Sequence, residues 1–175
     1  MRRHGKRIII IVICVLAALM LILKICWPSS ESQLIEKASK IVGLNIPYEE
    51  VINYYEEEGN AFGKQNHIVL LKINKNDRET INNLLKDHGA ITLPIQNYLE
   101  NGIIDLFEDE SKPSLISEDV LKSGKMLFYN KNEKHFCSIE ELESGYGNMN
   151  NGTFDGFVIL IYQDNNDLMY LLFHS

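Results

Sequence analysis

Residues 157–173 read FVILIYQDNNDLMYLLF, two apolar runs separated by a short polar segment. Both runs are rich in β-branched and aromatic residues, which favour strands. The polar segment Asp164–Asp167 has the composition of a tight turn, so the stretch predicts a β-hairpin. Neither run alternates between apolar and polar residues. Both are apolar on both faces, which predicts a central position in a sheet, with helices covering one side.

Upstream of the hairpin, apolar periodicity and capping residues predict helices and strands. Two helices begin at capping residues and end at glycine, which tolerates the left-handed backbone of a helix end. The first is residues 31–42, with a capping box of Ser30 and Gln33 and an end at Gly43. The second begins at Asn76 or Asp77 and ends at Gly89. Its apolar face carries Ile81, Leu84, Leu85 and His88. Two further apolar runs, 67–73 and 126–129, are predicted strands.

One segment allows two interpretations, and another predicts only a short element. Residues 48–58 suit either a helix or a strand that pairs with 67–73 through a turn at 59–66. A short turn of helix is predicted from Pro94 to Tyr98.

The region before the hairpin is predicted to be mostly irregular. Residues 101–123 are mixed and acidic, which indicates a loop. Ser138 and Glu141 form another capping box, which predicts a short helix as far as Glu143. The segment 144–152 is rich in glycine and asparagine, so it is predicted as a loop.

Strands that pair through hairpins, with helices between them, predict an α+β domain. The predicted fold is an antiparallel sheet that ends in the C-terminal hairpin and has helices packed on it. This domain covers residues 28–175. Its length suffices for one hydrophobic core and is too short for two ordinary domains.

The N-terminus has the pattern of a single membrane-spanning helix. A basic tail, residues 1–7, precedes an apolar run over 8–27 that is interrupted only by Lys24. A helix of this length is about 30 Å long, which matches the hydrocarbon core of a bilayer. Lys24 lies within a turn of the end, so its ammonium group can reach the head groups. Pro28 then stops the helix.

Charge predicts the orientation of this anchor. Four basic residues and no acidic residue precede it, so the positive-inside rule places the N-terminus in the cytoplasm and the domain outside the cell membrane. A cleaved signal peptide is the alternative, but the apolar run is long for one. Cleavage after Ser29 or Ser30 would also place Trp27 or Pro28 where a small residue is needed.

The domain is strongly acidic. Five of the 17 Lys and Arg residues and none of the 24 Asp and Glu residues lie in 1–27, so residues 28–175 carry a formal net charge of −12. The domain lacks the basic surface that nucleic acids require, which excludes them as partners. A solvated surface that keeps the domain soluble explains the charge best. Cys137 is the only cysteine of the domain, so no disulfide can form within it.

No catalytic, cofactor-binding or metal-binding residue is assigned, because no pattern identifies one. His135 and Cys137 lie two positions apart and would share a face on a strand. They would form half of a metal site or a Cys–His dyad, but an ordinary strand edge is the favoured interpretation. Asp164–Asp167 contains calcium-type ligands without the spacing and distal Glu of a calcium loop, so a tight turn is favoured there.

Three further segments are candidate sites. Glu56–Glu58 could support acid–base chemistry or bind a cation, although a solvated charge run explains it better. Gly59–Lys64 contains glycines beside a strand but precedes no helix, so it is a poor phosphate-binding loop. Residues 144–152 are the most loop-like part of the chain, and loops often carry function.

Several pieces of the sequence, in order, resemble a group of small uncharacterised bacterial proteins that have an N-terminal membrane anchor and an extracytoplasmic α+β domain. The matching pieces are Gly59 with Phe62, the strand 67–73, the helix to His88, Leu93 with Pro94, and 157–162 with Asp164 and Tyr170. In that group the turn usually carries a His and an Asp beside its glycines, where this sequence has Gly59 and Gln65. The resemblance implies a strand at 49–57 and an extracytoplasmic domain, and it implies no activity.

These features predict a membrane-anchored, non-catalytic domain that binds another protein at the outer membrane surface. The alternative is a cell-surface hydrolase that uses Glu57, His67 or the pair of His135 and Cys137. Convergence of those side chains in a concave pocket would favour the enzyme, and their dispersal would count against it.

Overall fold

The computed structural model describes residues 30–56, 66–107, 116, 118–149 and 156–174. The chain divides into two compact units between Leu34 and Ile35. The described part of the first unit is the beginning of one helix, and the second unit contains everything that follows. The predicted anchor, 8–27, lies outside the described residues. Within the described ranges, no helix is long and apolar enough to cross a membrane.

The second unit is an α+β fold built on one antiparallel sheet of seven strands. The strands are β1 (Glu50–Glu56), β2 (Asn66–Lys72), β3 (Ile91–Thr92), β4 (Lys125–Asn130), β5 (His135–Phe136), β6 (Phe157–Gln163) and β7 (Leu168–His174). The described α-helices are α1 (Ser30–Val42), α2 (Arg78–Asp87), α3 (Asn97–Phe107), α4 (Glu118–Leu121) and α5 (Ile139–Met149). The predicted fold class and the antiparallel sheet are therefore confirmed.

The C-terminal hairpin lies at the centre of the sheet. The strand order is β1-β2-β7-β6-β4-β3, and β5 pairs with the end of β4 while β3 pairs with its beginning. Every residue of β6 is buried, and so are the five central residues of β7. Strands that are apolar on both faces gain most from a position where both faces are covered. The predicted central position of the hairpin is therefore confirmed.

Helices cover both faces of this sheet, so the expectation of helices on one side is wrong. On one face, Ile159 of β6 belongs to a buried cluster with Leu99 of α3 and Leu142 of α5. The neighbours of Ile159 along β6, Val158 and Leu160, point to the other face and are equally buried. A second layer of helices must therefore cover them.

Two contacts identify the second layer. The ammonium group of Lys37, on α1, lies 5.1 Å from the centre of the Phe173 ring. Lys125 of β4 donates a hydrogen bond of 2.6 Å from Nζ to Asn82 Oδ1 on α2. Helices α1 and α2 thus cover the face opposite α3 and α5.

Most predicted elements agree with the structure within a residue or two. The helix predicted at 31–42 is α1, and the hairpin predicted at 157–173 is β6 and β7. The strand interpretation of 48–58 is correct, because β1 pairs with β2 over six registered positions. Most of the predicted turn at 59–66 lies outside the described residues.

The start of α2 differs from the prediction. Asp77 makes no capping hydrogen bond with its side chain. A short 3-10 turn, Lys75–Asp77, precedes the helix instead, and the Asn74 side chain accepts a hydrogen bond from the backbone N of Asn76 at its start. The predicted end is confirmed, because Gly89 has φ +71° in the left-handed region.

Two predicted loops contain helices. Residues 101–107 are the greater part of α3 and 118–121 form α4, although both were expected in the loop 101–123. Similarly, α5 continues to Met149 and does not end at Glu143. Leu99 and Ile103 lie one helical turn apart on α3, and both are buried. Their burial stabilises the helix, although the local sequence pattern does not predict it.

Candidate functional site

A cleft of about 450 Å³ lies beside the edge of the sheet that carries β3. One wall runs from the end of α2 through β3 to Gln96, and the other is the beginning of α5. Its lining residues are Gly89, Ala90, Ile91, Thr92, Pro94, Ile95, Gln96, Ser138, Ile139, Glu140 and Glu143. The lining is largely apolar with a few polar groups, as is usual for binding clefts.

The first wall is fixed by its attachment to β4. Ile91 and Thr92 pair with Met126 and Lys125. The backbone N of Leu93 then donates a hydrogen bond of 3.0 Å to the carbonyl of Gly124, and the peptide bond between Leu93 and Pro94 is cis. This wall is therefore held by backbone hydrogen bonds along its length.

The second wall is fixed by the predicted capping box at the start of α5. The backbone N of Ser138 donates to Glu141 Oε2 over 2.6 Å, and the backbone N of Glu141 donates to Ser138 Oγ over 3.3 Å. These bonds satisfy two backbone groups that the first turn of a helix would otherwise leave unpaired. The capping box holds Ile139 and Glu140 in place at the cleft.

A side-chain hydrogen bond ties the two walls together. Gln96 Nε2 donates a hydrogen bond of 2.6 Å to Glu143 Oε1. Glu140, one turn earlier on α5, is exposed and makes the cleft more negative. The lining contains two carboxylates and no Lys or Arg, so the cleft favours a cationic group.

Next to this cleft, but outside its lining, lies a second group of polar side chains, His135, Cys137 and Glu141, which we term the Cys–His–Glu cluster. His135 Nε2 lies 3.1 Å from Glu141 Oε1 and 4.0 Å from Cys137 Sγ. One ligand atom of each residue lies within 4.8 Å of the others. Glu133 Oε2 is 3.6 Å from Nδ1, the second nitrogen of the same imidazole.

The electrostatics of the cluster oppose a nucleophilic thiol. Burial, together with the carboxylates of Glu141 and Glu133, raises the pKa of Cys137 to about 11. The thiol is therefore protonated at neutral pH, whereas a reactive cysteine needs a lowered pKa. The hydrogen bond from the backbone of Ser138 lowers the pKa of Glu141, which keeps that carboxylate charged. The dyad considered from sequence therefore lacks an activated sulfur.

Only two members of this cluster, His135 and Cys137, were identified from the sequence as a possible site. His135 and Cys137 share a face as predicted, because His135 Nε2 and Cys137 Sγ lie 4.0 Å apart. Glu141 was recognised as a capping residue, and it has that role. The turn from β5 into α5 also brings its free oxygen to the imidazole. The capping box was the sequence signal that could have placed Glu141 beside His135, because capping fixes Glu141 close to Ser138.

His67 lies elsewhere and is largely buried. The Tyr54 ring stacks on the His67 imidazole, and the Tyr54 hydroxyl lies 3.3 Å from His67 Nδ1. Burial lowers the pKa of His67, and Lys37 lowers it further against the opposing effect of Glu56. The imidazole is therefore neutral near pH 7 and packs against Phe173. This environment is that of a core histidine.

The hydrolase candidates that the structure describes, His67 and the pair of His135 and Cys137, do not converge. His67 is on β2 and His135 on β5, four strands apart, or about 19 Å at the usual strand spacing. Their registers also place them on opposite faces of the sheet. Glu57 and the loop Gly59–Lys64 lie outside the described residues.

The other candidates have structural roles in the parts that the structure describes. Glu56 Oε2 accepts a hydrogen bond of 2.8 Å from the Tyr54 hydroxyl. Asp167, at the end of the acidic turn 164–167, is only 2 % exposed and binds Arg78. The turn therefore serves the fold, as favoured from sequence.

No model of a known protein family matches this chain, and neither a curated protein sequence nor a solved structure matches it.

Proposed function

We propose that the chain is a membrane-anchored, non-catalytic binding domain, whose cleft takes up a basic, extended segment of another protein at the outer face of the membrane. The cleft beside β3 is the observation that carries this proposal. It offers an apolar floor together with the carboxylates of Glu140 and Glu143. A lysine or arginine of the partner would place its alkyl part on the floor and its charge between the carboxylates.

The edge strand suggests how such a segment would bind. Strand β3 is the last strand at its end of the sheet order, and both its residues line the cleft. An extended segment can add its backbone to an exposed sheet edge, while pockets select its side chains. The charge of −12 on residues 28–175 favours the same class of partner, because it attracts basic surfaces over long range.

The location is part of the proposal and rests on the sequence. The apolar run 8–27 with its basic flank supports a single span with the N-terminus in the cytoplasm. Accessibility of residues 28–175 to an added protease in intact cells would test it. Protection of the domain until the membrane is permeabilised would contradict the proposed orientation.

The cleft can be tested by photocrosslinking of the full-length chain in native membranes. A photoreactive amino acid at Thr92 reports on the cleft, and one at the exposed Asn83 of α2 serves as the control position. We expect Thr92 to capture a specific protein that Asn83 does not. Equal capture at the two positions would place the contact elsewhere.

Charge variants then test the mode of binding. Glu140→Gln with Glu143→Gln should reduce the Thr92 crosslink by roughly fivefold or more, because each rim charge contributes on the order of 0.5–1 kcal/mol. Glu49→Gln with Glu50→Gln removes the same charge from exposed positions outside the cleft and should leave the crosslink unchanged. If both pairs act alike, only the overall charge matters and the cleft has no special role.

A further inference from the structure

The Cys–His–Glu cluster has the donor set of a transition-metal site. It combines a thiol, an imidazole nitrogen and a carboxylate oxygen, the three ligand types that Zn²⁺ takes in proteins. We propose that His135 Nε2, Cys137 Sγ and Glu141 Oε1 bind one Zn²⁺ ion, with a fourth position open to solvent. This site is independent of the proposed partner cleft, whose lining includes none of the three residues.

The distances are close to those that tetrahedral zinc requires. Bonds of about 2.3 Å to sulfur and about 2.0–2.2 Å to nitrogen and oxygen place tetrahedral ligand atoms about 3.4–3.6 Å apart. The observed separations are 3.1 Å between Nε2 and Oε1 and 4.0 Å between Sγ and Nε2, with none above 4.8 Å. The separation of Sγ and Nε2 must shorten by about 0.4 Å to reach the zinc value, a change that small rotations of the exposed His135 side chain can supply.

The surroundings of the imidazole are those of a metal ligand. A histidine that binds zinc through one nitrogen usually has its other nitrogen directed at a carboxylate, which fixes the ring and its tautomer. Here Nε2 faces Cys137 and Glu141, while Nδ1 faces Glu133 Oε2 at 3.6 Å. Glu141 is oriented in turn by the backbone N of Ser138 through its second oxygen. Two of the three ligands are therefore positioned before any ion binds.

Exposure makes the site accessible from one side. Cys137 is buried at 6 % exposure and forms the floor, whereas the side chains of His135 and Glu141 are 38 % and 53 % exposed. An ion entering from solvent would meet the carboxylate and imidazole first. It would then take the sulfur as a thiolate, and the thiol proton would pass to solvent. This arrangement leaves the outer coordination position for water.

The test uses the full-length chain in detergent, stripped with a chelator, with Cys14→Ser and Cys26→Ser so that Cys137 is its only thiol. Zn²⁺ titration against a coloured competing chelator should show one bound ion per chain. Co²⁺ in place of Zn²⁺ should give a thiolate-to-metal charge-transfer band in the near ultraviolet. Binding without that band would overturn the proposal, because the ion would then be held by surface carboxylates.

Matched variants separate metal binding from folding. Glu141→Gln keeps the capping box, since Gln serves at that position, but loses the charged ligand. This variant and His135→Asn should each weaken Zn²⁺ affinity by at least about tenfold, and Glu133→Gln by about tenfold through the imidazole. Glu79→Gln, an exposed acid on α2, should have no effect. Unchanged affinity in Glu141→Gln and His135→Asn, with an unchanged circular dichroism spectrum, would exclude the site.

Discussion

Arg78, the first residue of α2, binds Asp167 at the end of the β6–β7 turn through two hydrogen bonds. Nε donates to Oδ1, and Nη2 donates to Oδ2 over 2.6 Å. The two residues are 89 positions apart in the chain, and Asp167 is only 2 % exposed. A bidentate pair of this kind fixes the position of one element on another, so it attaches the start of α2 to the central hairpin.

This pair should make stability depend on acidity. The hydrogen bond from Arg78 lowers the pKa of Asp167 below its ordinary value. The pair therefore contributes stability above about pH 3.9, the value of an unfolded Asp. The contribution disappears as the pH falls through the lower folded pKa. Urea unfolding of the full-length chain in detergent at pH 7 and pH 3 should show this loss.

Asp167→Asn provides the comparison, because Asn tolerates the positive φ of 59° at this position. This variant should be less stable at pH 7 and lose less stability between pH 7 and pH 3. Asp164→Asn, at an exposed position of the same turn, should behave like the unchanged chain. Parallel losses in all three proteins would show that the pair does not control the acid sensitivity.

Tyr162 should tolerate loss of its hydroxyl. The ring is fully buried, and its oxygen has no hydrogen-bond partner among the described residues. Burial raises the pKa of this hydroxyl, and the nearby carboxylate of Asp167 raises it further. An unpaired buried hydroxyl costs free energy, so Tyr162→Phe should be neutral or stabilising by up to about 1 kcal/mol. A loss above about 1 kcal/mol in urea unfolding would show that the hydroxyl is bonded.

Gly124 should be much less replaceable than Gly43, although both have positive φ. A Cβ at Gly124 would lie 2.3 Å from the backbone oxygen of Tyr162, whereas one at Gly43 would meet nothing within 4 Å. Gly43→Ala should cost about 1–2 kcal/mol for the left-handed backbone alone. Gly124→Ala should cost more than about 3 kcal/mol, because β4 and β6 must also separate. Equal losses in thermal unfolding would show that the close approach relaxes without cost.

Cys137 should resist alkylation in the folded chain. With a pKa of about 11, roughly a thousandth of the thiol is ionised at pH 8, and the side chain is buried as well. In the Cys14→Ser, Cys26→Ser background, iodoacetamide should label Cys137 slowly in chelator and rapidly in urea. Rapid labelling of the folded chain would indicate an activated thiol and would support the hydrolase alternative.

Much of the fold could be predicted because its signals are local. The central hairpin carries two apolar runs around an acidic turn, and α1 has an apolar face that ends at Gly43. Helix α3 was missed because its local composition is mixed, and the burial of Leu99 and Ile103 that stabilises it depends on the sheet beneath. The second helical layer, α1 and α2, was not predicted, because the apolar hairpin was expected to be covered by helices on one side only.

Periodicity, composition and capping act between neighbours in the chain. They were therefore enough to predict the α+β class, the central hairpin, the acidic character of residues 28–175 and the capping role of Glu141. Folding of the chain is needed to bring Arg78 to Asp167, to bring Glu141 to His135, and to form the cleft between β3 and α5. The first and the last of these relationships depend on the order and register of the strands, whereas the contact of Glu141 with His135 depends on the turn from β5 into α5. Pairing across the sheet brings together residues that are distant in the chain, and a local sequence pattern does not predict which strands pair.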